Sequence, residues 1–98
     1  MNSDTAVRKI VTIVNRRGLH ARAAAKFVKL AAQFKCDIIV TRNDMNVPGR
    51  SLMGLLTLGA SQTKEIEIIC TGDDAEKTLD ALVDLVERGF DEDDSDGN

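Results

Sequence analysis

The stretch Gly18-Leu19-His20-Ala21-Arg22 contains the only histidine among the 98 residues of the chain. It follows a β-branched apolar run at residues 10–14 and opens a helical pattern that begins near Ala21. The first amides of a helix lack intrahelical partners and carry the positive end of the helix dipole, so anions bind there readily. With Arg16 and Arg17 just before it, this stretch predicts an anion site around His20.

A histidine in such a site is suited to carrying a phosphoryl group. A free imidazole often has one ring nitrogen available as a nucleophile near neutral pH, and attack of that nitrogen on phosphorus gives a reactive phosphoramidate. Helix amides and an arginine can neutralise the charge of the phosphate without a metal ion. The alternative is that His20 is only a polar residue at a helix start. The residues alone leave both interpretations open.

Length and composition limit the alternatives. A chain of 98 residues with 43% apolar side chains is typical of one domain with a modest core. The aromatic content of 3% argues against a nucleic-acid binder, because such proteins stack bases on aromatic side chains. Cys36 and Cys70 lack the close spacing of metal ligands, so we expect two reduced, half-buried thiols and neither a metal nor another cofactor.

The net charge of −3 is concentrated at one end of the chain. Residues 91–98 contain five acidic residues and no basic one, and removing those five charges changes the net charge to +2 for residues 1–90. We therefore predict a mildly basic folded domain over residues 1–90 and an acidic, disordered tail over residues 91–98.

Membrane and secretory segments are not indicated. The residues that follow Met1, up to Thr5, are polar, and no apolar run approaches the roughly 20 residues that a membrane helix needs. We therefore expect a cytoplasmic protein that does not insert into membranes.

The pattern of apolar residues predicts seven elements in the order β-α-β-β-α-β-α. Strands are predicted from β-branched runs, and helices from apolar residues at helical spacing. Their expected ranges are 6–14, 21–34, 36–41, 45–47, 52–58, 64–71 and a last helix after Asp73 that ends near residue 90. Asp73 and Glu76 have the spacing of a capping box, and Pro48 is expected to end the third strand. One-sided helices on four strands favour an α+β fold in which helices cover one face of an antiparallel sheet.

The predicted helix over residues 52–58 is short and apolar on nearly all sides. Ser51 is a suitable N-cap residue and Gly59 a suitable stop. Leucines and a methionine fill most of the positions between them. A six- or seven-residue helix cannot bury them all, so part of this apolar surface should face outward.

Two separate motifs resemble the family of histidine-containing phosphocarrier proteins (HPr) of the bacterial phosphoenolpyruvate-dependent phosphotransferase system. The first is the stretch 18–22 with Ala24-Ala25 and Phe27-Val28 after it. The second is Ser51-Leu52-Met53-Gly54 with Leu58-Gly59. The similarity runs from about Val7 to Phe90, in register and without large insertions.

This resemblance implies an open-faced β-sandwich, with four antiparallel strands and three helices on one side. It implies that His20 accepts a phosphoryl group on Nδ1 from phosphorylated Enzyme I and passes it to an EIIA-type protein. Arg22 is similar to the arginine that the family places beside the phosphohistidine. The residues expected around the phosphate are Gly18, Ala21, Arg22 and Ala23.

The resemblance also implies regulation and docking. Ser51 is similar to the serine that an HPr kinase/phosphorylase modifies in some relatives, and phosphorylation would add about two negative charges there. The expected docking surface for acidic partners consists of apolar and basic side chains, namely Leu52, Met53, Leu56, Arg22, Lys26, Lys29 and Arg50. Family members of this size are typically monomers. An alternative function is a regulatory protein that binds through the Ser51 face, with His20 silent.

One residue departs from the family pattern. The family commonly has proline after the arginine, at the first turn of the helix, where this chain has Ala23. Alanine keeps a backbone N–H that proline lacks, so phosphoryl transfer should survive. With Arg16, Arg17 and the acidic end of the chain, this departure favours the nitrogen-related branch of the system over the sugar-uptake branch.

Overall fold

The computed structural model describes residues 5–92. Its elements follow the expected order, with a short 3-10 turn (Gly89–Asp91) after the last helix. The strands are β1 (Ala6–Thr12), β2 (Asp37–Arg42), β3 (Met45–Pro48) and β4 (Glu65–Thr71), and the helices are α1 (Ala21–Ala31), α2 (Leu52–Thr57) and α3 (Ala75–Glu87).

The four strands form one antiparallel sheet in the order β1-β4-β2-β3. Val40 of β2 is paired with Ile68 of β4 on one side and with Val47 of β3 on the other, and all three side chains are buried. Their chain neighbours alternate to the opposite face, where Ile39 is exposed. The sheet is therefore covered on one face only, as period-two patterning requires.

The three helices of the described chain supply the other half of the core. Helix α3 packs against β1 and β4, α1 contacts α2 and α3, and α2 contacts β3. Phe27 of α1, Leu82 of α3 and Phe90 of the final turn are fully buried. The predicted open-faced antiparallel sheet with three helices is thus confirmed. No helix within residues 5–92 is long and apolar enough to cross a membrane.

Strand β1 and helix α1 end earlier in the structure than predicted. Strand β1 stops at Thr12, although Ile13 still exchanges backbone hydrogen bonds with Thr63 and Lys64, both at 2.8 Å. Helix α1 stops at Ala31 because tighter i→i+3 bonds replace the helical ones, from Gln33 N–H and Phe34 N–H. Such a tight last turn is common at helix ends.

Pro48 is the last residue of β3, one residue beyond the predicted range, so the strand ends there as predicted. Strand β3 is at the edge of the sheet, paired only with β2. An edge strand leaves one row of backbone groups outside the ladder, so a residue without an N–H is tolerated there.

The capping-box prediction for α3 is wrong. The N-cap residue is Asp74 and not Asp73, and its side chain makes no capping hydrogen bond. Asp74 has a left-handed backbone (φ 61°), whereas a capping side chain needs an extended one. The Thr78 hydroxyl instead donates to the Asp74 carbonyl at 2.8 Å.

Both cysteines are free, and both are almost completely buried, not half-buried as expected. Burial, reinforced by the neighbouring Cys36, raises the pKa of Cys70 to about 12. Cys70 is therefore a protonated core side chain near neutral pH, and a poor nucleophile.

The boundary predicted after residue 90 is also corrected. Gly89, Phe90 and Asp91 all have positive φ angles, between 58° and 68°, and this turn brings Glu92 back onto the domain. Glu92 contacts His20 and Asn15, so Asp91 and Glu92 belong to the folded part. The rest of the predicted tail, residues 93–98, lies outside the described residues.

Candidate functional site around His20 and Ser51

The loop before α1 is fixed by a close approach at Gly18. Its φ angle is +70°, and a Cβ there would lie 2.7 Å from the Ala60 carbonyl oxygen and 2.8 Å from the Ser61 Cα. The next residue, the buried Leu19, donates its N–H to the same Ala60 oxygen at 2.9 Å. Only glycine satisfies both the backbone angle and the space, and this contact sets where His20 begins the helix.

His20 is the N-cap residue of α1, with an extended backbone (φ −84°, ψ −178°). Its carbonyl accepts the first helical hydrogen bond, from Ala24 N–H at 2.8 Å. Its Nδ1 accepts the Arg22 N–H at 3.3 Å, which means that this nitrogen holds a lone pair. The side chain is 24% exposed, so a partner can reach the ring while most of it is held in place.

The first turn of α1 has three N–H groups that take no part in the helical hydrogen bonds. Because the helical bonds begin at Ala24, the N–H groups of Ala21, Arg22 and Ala23 have no i→i−4 partner. The Arg22 side chain is exposed and has no ion pair within residues 5–92. These donors and the helix dipole together favour an anion at the Nδ1 edge of the ring.

The opposite edge of the ring meets a carboxylate that the sequence does not single out. His20 Nε2 contacts Glu92 Oε2, and Glu92 Oε1 accepts from Asn15 Nδ2 at 2.9 Å. The same Asn15 amide donates to the Gly18 carbonyl at 2.8 Å. Asn15 is buried and the Glu92 side chain is only 15% exposed, so the contact is shielded from solvent.

The environment of Glu92 favours its charged form. Burial by itself raises the pKa of this carboxyl, but the hydrogen bonds from Asn15 and His20, together with the charges of His20 and Lys26, outweigh burial and hold the pKa below its ordinary value of 4.5. Near neutral pH the His20 ring therefore faces a carboxylate at Nε2 and helix amides at Nδ1.

Acidification should remove a stabilising contribution of Glu92. Because its carboxyl has a lower pKa in the folded chain than in the unfolded one, this contribution is complete above about pH 4.5 and is lost as the pH falls through the folded value. Urea unfolding of the parent and of Glu92→Gln, which cannot titrate there, measures it. Their difference in free energy of unfolding should be larger near about pH 6 than near about pH 3. An equal difference at both pH values would contradict the assignment.

Ser51 is the N-cap residue of α2, as predicted. Its hydroxyl oxygen accepts the Gly54 N–H at 2.9 Å. A Cβ on Gly54 would lie 3.0 Å from that oxygen and 3.0 Å from the Val47 Cβ, so the glycine inside this short helix allows the close packing of α2 on β3. Because α2 packs against α1, the two predicted sites lie on neighbouring helices.

Comparison with known proteins decides the family. The model of the PTS HPr component phosphorylation site matches residues 7–88, which include both motifs. The chain belongs to the HPr family. It is 42% identical over 86 residues to phosphocarrier protein HPr of Neisseria meningitidis, covering 88% of this chain and 97% of that one. It is 40% identical over 88 residues to phosphocarrier protein NPr of Shewanella violacea, covering 90% and 97%.

The fold agrees with solved HPr structures. The crystal structure of HPr-C-His from Thermoanaerobacter tengcongensis is 40% identical in sequence to this chain and superimposes on it with a TM-score of 0.85. The match covers 89% of this chain and 98% of that one. Family and fold together support the role of a phosphocarrier in the phosphotransferase system. The similar identities to an HPr and an NPr leave the predicted nitrogen-related branch as a prediction.

Two of the three apolar side chains expected for docking are exposed on this chain. Leu52 and Met53 are 39% and 70% exposed, whereas Leu55 and Leu58 of the same region are buried in the core. Leu56 is half-buried. The prediction that part of this apolar helix faces outward is confirmed, and the exposed side chains lie on its first turn.

Two of the basic side chains expected on that surface make hydrogen bonds within the domain. Lys26 Nζ donates to the Phe90 carbonyl at 2.7 Å. The Arg50 guanidinium donates to the Cys36 carbonyl at 3.0 Å and to the Phe34 carbonyl. Lys26 and Arg50 are therefore hydrogen-bonded to backbone carbonyls of other segments of the fold. Lys29 is exposed and has no ion pair within residues 5–92.

Proposed function

We propose that His20 accepts a phosphoryl group on Nδ1 from phosphorylated Enzyme I and passes it to an EIIA-type protein. The observation that carries this proposal is the position of Nδ1, which lies at the first turn of α1 and accepts the Arg22 N–H at 3.3 Å. The chain acts as a carrier, and we expect no turnover without its partner proteins. A cytoplasmic location and a monomer remain predictions, and one solved relative from Thermoanaerobacter tengcongensis is an HPr dimer.

The transfer exchanges one bond for another at phosphorus. The Nδ1 lone pair forms the new N–P bond, and the bond from phosphorus to the donor's leaving group breaks, with its electron pair departing on that group. The phosphoryl oxygens then meet the free N–H groups of α1 and the exposed Arg22 guanidinium. These charge-assisted hydrogen bonds offset the phosphate charge without a metal ion.

The exposed apolar turn of α2 supports a docking role for this side of the molecule. Leu52 and Met53 are large apolar side chains that the fold does not bury. They sit on α2, which packs against α1 and therefore lies beside the helix that begins at His20. A partner that covers them also brings its own phosphoryl site close to His20, which a carrier requires.

A relay experiment tests the proposed function. The full chain is incubated with Enzyme I and labelled phosphoenolpyruvate, then with a purified EIIA protein. We expect an acid-labile, alkali-stable label on this chain that moves to the EIIA protein. Failure of this chain to take up label from active Enzyme I would contradict the proposal. It would favour the alternative, a protein that regulates others by binding through the Ser51 face.

We further propose that Ser51 controls docking, and Ser51→Asp tests this. Aspartate is as good an N-cap as serine, so the melting temperature should change little. Its charge lies beside the surface proposed to meet partners, and an unfavourable charge in an interface can cost several kcal/mol. We expect transfer from Enzyme I to slow at least about tenfold, as measured by rapid-quench labelling.

A matched control separates position from charge. Asn43→Asp adds the same charge in the turn between β2 and β3, at an exposed residue with a left-handed backbone that aspartate also tolerates. It should transfer like the parent. If Ser51→Asp and the parent accepted the phosphoryl group from Enzyme I at the same rate, the proposal that Ser51 controls docking would be wrong.

A further inference from the structure

The contact between Glu92 and His20 extends the site beyond the residues so far given a role. The carboxylate lies at Nε2, on the far edge of the ring from the proposed phosphoryl position. It is held from its other oxygen by Asn15, which is itself fixed on the Gly18 carbonyl. The ring is therefore contacted at both nitrogens, by the Glu92 carboxylate at Nε2 and by a helix N–H at Nδ1.

The end of the chain is built to place this carboxylate. Phe90 and Asp91 both have left-handed backbones, which cost about 1 kcal/mol or more each for residues other than glycine. Phe90 offsets this by full burial in the core, and its carbonyl accepts from Lys26. Arg88 donates to Asp91 from Nε at 2.8 Å. Strain retained by such anchoring is typical of functional sites.

We propose that Glu92 is a positioning residue for phosphoryl transfer: its carboxylate accepts the Nε2–H of His20, holds the ring in the tautomer with a free Nδ1 lone pair, and stabilises the positive charge that develops on the ring. This inference rests on the proposed function. It assigns to Glu92 no contact with the phosphoryl group itself.

The proton and charge balance follow from the two contacts. When Nδ1 bonds to phosphorus, the proton on Nε2 stays where it is, so the ring acquires positive charge next to the Glu92 carboxylate. When the group passes on, the Nδ1–P bond breaks and its electron pair returns to Nδ1. A carboxylate that orients an imidazole and stabilises its cation is the general way in which such pairs assist catalysis.

Other charges near Glu92 are consistent with this role. The positive charge of Lys26, on α1, helps to keep the pKa of Glu92 low. Asp91 is turned away into its contact with Arg88. Glu92 therefore remains an anion near neutral pH, and the cation that it best stabilises is the His20 ring.

The test uses phosphoramidate, a small phosphoryl donor that needs no protein partner. The full-length parent, Glu92→Gln and Glu92→Ala are labelled near neutral pH, and Glu87→Gln is the control because it removes one exposed charge from the end of α3. A carboxylate hydrogen bond is about twice as strong as a neutral one, so labelling of Glu92→Gln should slow about tenfold. Glu92→Ala should slow at least as much, and Glu87→Gln should label like the parent.

Nitrogen-15 NMR of the His20 ring is the second measurement. Its chemical shifts report which ring nitrogen carries the proton, so they distinguish a change of tautomer from a general loss of structure. We expect the parent ring to be protonated at Nε2, and both Glu92 variants to shift toward the other tautomer. The positioning role would be overturned if the Glu92 variants were labelled as fast as the parent. It would also be overturned if they were labelled more slowly but had the same ring signals as the parent. Faster labelling would overturn it as well, because Glu92 would then obstruct the site. If the parent took up no label at all, the proposed phosphocarrier function would fail together with this inference.

Discussion

His20→Ala should lose phosphoryl acceptance completely, to below about one thousandth of the parent rate, because the nucleophile itself is removed. The variant should still fold. His20 caps α1 through one long hydrogen bond, from Arg22 N–H at 3.3 Å, and loss of an N-cap costs about 1 kcal/mol. Labelling by Enzyme I and phosphoenolpyruvate measures the first effect, and thermal unfolding the second.

His20→Asn separates capping from chemistry. Asparagine is among the best N-cap residues, so α1 should be as stable as in the parent, yet it offers no ring nitrogen. The two variants should therefore differ in stability and agree in the absence of label. Label on either of them at the parent rate would show that another residue accepts the phosphoryl group.

Gly18→Ala should be strongly destabilised. The added Cβ would lie 2.7 Å from the Ala60 carbonyl oxygen, at a φ angle of +70°. The left-handed backbone costs about 1–2 kcal/mol for alanine, and overpacking against fixed backbone adds about 1–3 kcal/mol. A loss of about 3 kcal/mol lowers the melting temperature of a domain of this size by roughly 12–24 °C. Thermal unfolding monitored by circular dichroism measures it.

Gly59→Ala is the matched control for that substitution. Gly59 has nearly the same backbone, with φ +60°, but a Cβ there would meet nothing within 4 Å. It should therefore lose only the conformational part, about 1 kcal/mol. If the two variants were equally stable, the close approach of the loop to Ala60 would not be what fixes the start of α1.

The fold was largely predictable from the sequence because local patterns and global packing agree. The apolar spacing on α1 and α3 gives helices with one buried face, and the β-branched runs give strands with alternating burial. The errors are at the ends of elements. There the outcome depends on backbone angles, such as the left-handed Asp74, that the residue type alone does not determine.

The site was predictable on one side of the ring only. His20, Arg22 and Ser51 lie next to helix starts, and helix starts have sequence signals. Glu92 gave no such signal, because it stands within a run of acidic residues whose composition favours a solvated tail. What brings it to His20 is a turn of three residues with positive φ, two of which are not glycine. The sequence offered one hint of a further partner for the site: the polar Asn15 directly precedes the loop in which an anion site was expected, and its amide binds Glu92 in the structure.

The most direct test of the central claim is to locate the phosphoryl group. The chain is phosphorylated with Enzyme I and phosphoenolpyruvate, and the histidine signals are followed by phosphorus-31 and nitrogen-15 NMR. We predict a single phosphohistidine, at Nδ1 of His20, with the proton retained on Nε2. Phosphorus bound to Nε2, or to any residue other than His20, would contradict the claim that the α1 amides and Arg22 receive the phosphoryl group.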